Sequence, residues 1–166
     1  MNRLPFIDDY FAAEKLQSLL FIVVGALAIA LALVLLRRRS RLRGMAIPLM
    51  AVALIQAVAG GTVYLRSDRQ IAHLQQQARE APTVFKGEES ARMKTVIANF
   101  ERYRQIEIAV LALGMAIVVL LRNREFWFAF GLGLVLQSGV MLALDRVAEA
   151  RAHEYFKAVV ERHSAT

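Results

Sequence analysis

At 166 residues the chain suits one domain (1–166), and 57% of it is hydrophobic, against about 45–50% in an ordinary soluble domain. Its net charge of +7 does not form a nucleic-acid-binding pattern. Five arginines (Arg37, Arg38, Arg39, Arg41 and Arg43) crowd into one short loop, and no RNP, zinc-finger or helix-turn-helix signature accompanies them. The absence of cysteine excludes disulfides, thiolate metal centres and thiol redox chemistry.

The first apolar run, 16–36, is uncharged. At about 1.5 Å per residue it reaches about 31 Å, enough for a hydrocarbon core about 30 Å thick. Asp8, Asp9, Glu14 and Lys15 precede it and arginines follow it, the reverse of a cleavable signal peptide, so it reads as a retained span. Ahead of it, the stretch 5–11 carries Phe6, Ile7, Tyr10 and Phe11 and reads as an interfacial segment or a cap on the bundle. A second uncharged run covers 45–65, with Pro48 in its first turn, where a missing N–H does little harm.

Segment 66–105 reads as an extramembrane helical hairpin. Ile71, Leu74 and Ala78 recur at helical spacing, and Ala81-Pro82 stops that arm. Lys86-Gly87 reads as the turn, after which Glu88 and Glu89 open a second helix with charge suited to its N-terminal dipole. Met93, Val96, Ile97, Phe100 and Tyr103 make a stripe that continues to Glu107, Val110 and Gly114, leading into a third apolar run at 106–121. The fourth run, 126–144, has Trp127 and neighbouring phenylalanines at one end, as an interfacial belt requires. Ala148, Ala152, Tyr155, Phe156 and Val159 then stripe a C-terminal helical extension, 145–163.

The expected fold is an all-α membrane protein. Four transmembrane helices form two hairpins, and helices 2, 3 and 4 extend beyond the membrane as a helical bundle. Arg122 and Arg124, with the arginines of 37–43, place both short loops in the cytoplasm. Both termini and 66–105 then lie on the non-cytoplasmic side of a plasma membrane, in bacteria the inner membrane.

Glu107 is the most unusual residue for its position, since a carboxylate inside an apolar run costs about 2.5–3.5 kcal/mol at a span centre on the insertion scale and less near an end, where Glu107 stands. Asp145 falls on the stripe of its own helix on the same membrane side, and Arg66, Arg104 and Arg146 lie near that level. These five residues form a candidate ion or ion-pair cluster, with the arginines expected to neutralise the acids. Gln56 and Gln137 make a mid-membrane polar pair, expected to hydrogen-bond between helices. The small residues nearby, Ala57/Gly61 and Gly131/Gly133/Gly139, suit close helix packing. His73, His153 and His163 lack the spacing of a metal site.

There is no G-x-S-x-G, P-loop, dinucleotide fingerprint or H-E-x-x-H, so neither catalysis nor a cofactor is expected. The sequence points first to a non-catalytic interaction or accessory protein, a membrane-complex subunit or an immunity-type protein. Its expected partners are the lipid bilayer and a protein partner or second copy, without nucleic acid. The alternative is a small ion or solute transporter or channel using Glu107 and Asp145.

Overall fold

A computed structural model describes residues 4–38 and 41–161; Arg39 of the basic loop and His163 lie outside the described residues. The described residues form four long helices: α1 Pro5–Arg37, α2 Ala46–Glu80, α3 Pro82–Leu120 and α4 Glu125–Glu161. A short 3-10 turn, Arg41–Met45, leads into α2. Among the described residues there is no strand. All four helices are long and apolar enough to cross a membrane. With 33 to 39 residues each, they run about 50–58 Å at about 1.5 Å per residue, well beyond a hydrocarbon core of about 30 Å.

One local reading of the sequence narrows and one changes. The stretch 5–11 caps the bundle, with Ile7 and Phe11 buried in its core, and is no separate interfacial segment: Pro5 occupies the first helical turn, where its fixed φ is pre-set, and α1 is continuous from there. The N-terminal end of α1 therefore joins the three other helices in projecting past the apolar runs. Its first turn is held by α2, through the Gln75 side-chain amide. Leu4 N–H donates to Gln75 Oε1 at 3.0 Å, and Gln75 Nε2 donates to Leu4 O at 3.0 Å and to Asp8 Oδ1 at 3.2 Å. Likewise Lys86-Gly87 is not a turn. The chain reverses at Ala81 alone, and α3 begins at Pro82 and runs through Gly87. Glycine inside a helix costs about 1 kcal/mol relative to alanine. Burial of Phe85, Glu89 and Met93 on either side outweighs that local preference.

α1 packs against α2, and α3 against α4, each pair antiparallel. The first register is marked by Lys15 with Asp68 (2.8 Å) and by Gly60 against the Ser18 carbonyl; the second is marked by Arg104 with Glu149 (2.7 Å) and by Gly114 with Gly131. α2 and α4 run parallel: Gln56 meets Gln137, and Pro48 meets Gly133. The 3-10 turn seats Gly44 against the Phe126 carbonyl, bringing both short connections to one end. Arg37, Arg38, Arg41, Arg43, Arg122 and Arg124 are exposed there, beside the edge-to-face rings of Phe126, Trp127 and Phe130.

At the opposite end, the surplus helix forms one core. Ile7 and Phe11 of α1, Leu74 and Ala78 of α2, Phe85 and Met93 of α3, and Ala152, Tyr155 and Val159 of α4 are buried together. Tyr155 is its hub: Tyr10 stacks on it at 4.2 Å, and Phe6 and Phe11 approach at 5.8 and 6.2 Å. Glu89, only 2% exposed, takes a two-pronged contact from Arg92 (2.6 and 2.7 Å), whose guanidinium also lies 5.8 Å from the Phe11 ring. A buried charge is tolerable when paired in this way.

Helix contact nearer the basic end depends on missing side chains. A Cβ on Gly131 would stand 2.9 Å from the Gly114 carbonyl, and one on Gly114 would stand 3.0 Å from the Gly131 carbonyl. Gly61 and Gly139, by contrast, face open space.

Gly131→Ala is expected to destabilise the protein by about 1–3 kcal/mol through overpacking. Gly139→Ala leaves it unharmed, and Gly87→Ala, also facing open space, stabilises it by about 1 kcal/mol. Thermal unfolding of the detergent-solubilised chain orders the three.

Burial, reinforced by Glu14, pushes the Tyr10 phenol from 10.0 up to about 12, and burial beside Glu89 pushes Tyr155 up as well. The folded state thus holds these protons more tightly than the unfolded state. Their contribution to stability is complete below about pH 10 and is lost as pH climbs through the folded values. Melting temperatures recorded between pH 9 and 12 are expected to fall, and Tyr10→Phe to shrink that fall.

Candidate functional site

Between the two tightly packed helix pairs lies a cleft of about 570 Å³ to which all four helices contribute. Gln17 and Ser18 of α1 and Gln137 and Ser138 of α4 are buried in its floor. Its rim is exposed: Ile55 of α2 is 63% exposed, and Ile106 and Tyr103 of α3 are 60% and 53% exposed. The cleft therefore opens sideways between α2 and α3, and its walls are mostly apolar. Val52, Ile55, Val63, Val96, Phe100 and Val110 are among them.

Glu107 and Asp145 both line the cleft, and their carboxyl groups meet across α3 and α4. The arginines expected to neutralise them are placed elsewhere. Arg104 donates to Glu149 at 2.7 and 3.0 Å, Arg146 lies 3.5 Å from the same carboxylate, and Arg66 is exposed on α2. Among the described residues neither Glu107 nor Asp145 is in an ion pair with an arginine. The structure thus brings the two acids together and gives the neutralising role of Arg104 and Arg146 to Glu149 instead.

The cleft also contains a third carboxyl group, on Glu14 of α1. Burial pushes it above the usual carboxylate range, against the opposing charges of Arg66, Arg92 and Arg151. One oxygen each of Glu14 and Glu107 is buried without a hydrogen-bond partner. Among the described residues Arg151 is the single cation lining the cleft, and it is turned onto backbone oxygens, Ala13 O at 2.7 Å and Val147 O at 3.3 Å. Gln17 Nε2 donates to Leu144 O at 3.0 Å and Ser18 Oγ to Glu14 O at 2.8 Å, so the floor hydroxyl and amide are tied down.

Gln56 (1% exposed) and Gln137 (3%) meet between α2 and α4: Gln137 Nε2 donates to Gln56 Oε1 at 3.0 Å, and Gln56 Nε2 donates to Met141 Sδ at 3.0 Å. This is the interhelical amide bond that their depth in the sequence implied. It forms the inner end of the cleft floor, where Gln137 and Met141 also line the cavity. His73 and His153 are exposed on separate helices, and among the described residues no three His, Cys, Asp or Glu converge as a metal site.

Sequence reasoning missed Glu14, Gln17, Ser18 and Ser138. α1 is apolar nearly all round, so periodicity gave no sign of which face turns inward. Ser18 and Glu14, four apart and followed by an uncharged run, were the one available cue. Chemically, the cleft offers carboxyl groups that can hold a proton or a cation, amides that fix helix spacing, and an apolar chamber. No family model, curated protein or solved structure matches the chain.

Gln56→Leu and Gln137→Leu are each expected to lower stability, and the double variant to lose less than the sum. The coupling should be about 0.6–1.7 kcal/mol, the range for hydrogen bonds between membrane helices, read from a double-mutant cycle of unfolding free energies.

Proposed function

We propose that the chain is a small, non-catalytic integral membrane protein that binds a ligand from the lipid phase through the cleft between α2 and α3. In this reading the four apolar runs cross a bacterial inner membrane as two hairpins. The exposed arginines at the 3-10 turn and at 122–124 face the cytoplasm, and the Tyr155 core, with both termini, stands outside. The observation that carries the reading is the cleft itself: an apolar chamber of about 570 Å³ with a polar floor, open sideways at the level of the apolar runs.

The external core bears on the competing role of an accessory or immunity-type protein. The apolar stripes of the extensions are buried against one another within a single chain, so a protein partner would meet the outer faces of this core. The transporter alternative gains from the placing of Glu107 and Asp145 on the cleft without arginine partners. Ligand entry from the side is common to binding and to transport.

The protein reconstituted in lipid nanodiscs with a phosphatidylcholine bearing a diazirine on its acyl chain tests the reading. Photolabelling is expected on the floor residues Ser138 and Met141, and is expected to disappear from them in Ala59→Trp, which fills the chamber from α2, while the outward faces stay labelled. A floor unlabelled in the unmodified protein, beside labelled outward faces, means that α2 and α3 close in the bilayer and defeats the reading.

A further inference from the structure

We propose that the cleft's ligand is an amphiphilic organic cation, its apolar body held by the walls and its charged group held by Glu107, Asp145 and Glu14. The inference rests on the cleft reading above and adds the sign of the charge. Three observations carry it together.

The first is the charge balance. Three carboxyl groups line the chamber against one guanidinium, that of Arg151, and the guanidinium is directed at the Ala13 and Val147 carbonyls. The neighbouring Arg92 is committed to Glu89, and Arg104 and Arg146 to Glu149; Arg66 acts on Glu14 from the exposed face of α2 and does not line the chamber. The second is unmet hydrogen-bonding demand: Glu14 Oε2 is a buried acceptor without a donor, while Glu107 and Asp145 have only each other. A buried acceptor left unpaired costs on the order of 1–3 kcal/mol, more when charged, and a cation placed beside such oxygens offsets the charged part of that penalty. The third is the shape of the rest of the wall. Tyr10, Phe100 and Tyr103 stand near the acids, and Val52, Ile55 and Val63 extend away from them. Aromatic faces attract an organic cation and aliphatic walls accept its hydrocarbon, so one molecule with both parts fits the chamber end to end.

A metal ion fits less well, because the chamber is far larger than an ion and most of it is apolar. A neutral ligand of the same size meets the same walls and can donate to an unpaired oxygen but does not balance the carboxylates' charge, and an anion does neither. The charge of the ligand is thus the discriminating variable.

Equilibrium dialysis of the full chain in detergent at pH 7.5, with radiolabelled tetraphenylphosphonium as probe, tests the inference. Saturable binding near one per chain is expected, with neutral triphenylphosphine oxide displacing it at least tenfold less effectively than unlabelled tetraphenylphosphonium. Glu107→Gln and Asp145→Asn should each weaken binding at least tenfold with unchanged melting temperature. Ala59→Trp, which fills the chamber and leaves every carboxyl group in place, should weaken it as well and serves if a carboxyl variant does not fold. Equal displacement by the neutral compound, or undiminished binding in both carboxyl variants, overturns the cation assignment and leaves the photolabelling of the cleft intact. No saturable binding at all overturns it too, and only an unlabelled floor brings down the cleft reading itself.

Discussion

Each helix is 33 to 39 residues long, and a hydrocarbon core about 30 Å thick can hold only about 20 of them. In the proposed membrane setting, what the surplus turns do in water decides the rest of the structure. Stripes such as Met93, Phe85 and Leu74 cannot remain wet over several turns without a large free-energy penalty, and burial of a side chain of this size contributes about 1.5–3 kcal/mol. The surplus turns of all four helices therefore converge on Tyr155. This core, stapled by the Gln75 clasp on Leu4 and by the Glu89–Arg92 pair, holds the four helices together at one end of the molecule.

That clamp explains why the remainder can be less tightly packed. In lipid there is no hydrophobic force between helices, and association depends on close packing and interhelical hydrogen bonds. Both are present only along certain seams: Gly60 on Ser18, Gly114 on Gly131, Gly133 on Pro48, and Gln56 on Gln137. Between α2 and α3 there is no such seam at this level, and the cleft lies there with Ile55 and Ile106 on its rim. An external core that fixes the helix ends, with glycine seams joining α1 to α2, α2 to α4 and α3 to α4 and no glycine seam among the described residues between α2 and α3, gives a chamber held open by its frame. The carboxyl groups lie at the end of the chamber nearest that frame, where Arg151 and the Glu149 pairs tie α4 to α1 and α3.

Much of the helical architecture was legible because four uncharged or nearly uncharged runs leave few alternatives, and because Val96, Phe100 and Tyr103 share one face by spacing alone. Two features were not. Lys86-Gly87 carries a local turn signal, but the packing of Phe85 and Glu89 overrides it, and Glu89 itself looked like a dipole-facing surface charge rather than a buried ion. Phe6, Ile7, Tyr10 and Phe11 suggested a cap but not a continuous α1 extension, and their partner Tyr155 lies at the other end of the chain. At the candidate site, the stripe placed Glu107 and Asp145 on inward faces, whereas nothing in the spacing revealed that Arg104 would reach past Asp145 to Glu149. Choice of partner among several nearby charges depends on helix rotation by a few tens of degrees, which a sequence pattern does not resolve.

Hydrogen exchange of the protein in lipid nanodiscs, one chain per disc, tests the central claim that a single chain closes its own core outside the bilayer. The account predicts strong protection of the amides in 70–79, 85–103 and 148–159, with rapid exchange confined to the reversal near Ala81. Rapid exchange throughout these segments, alongside a protected 16–36, would show that the surplus turns are loose in water and would contradict it.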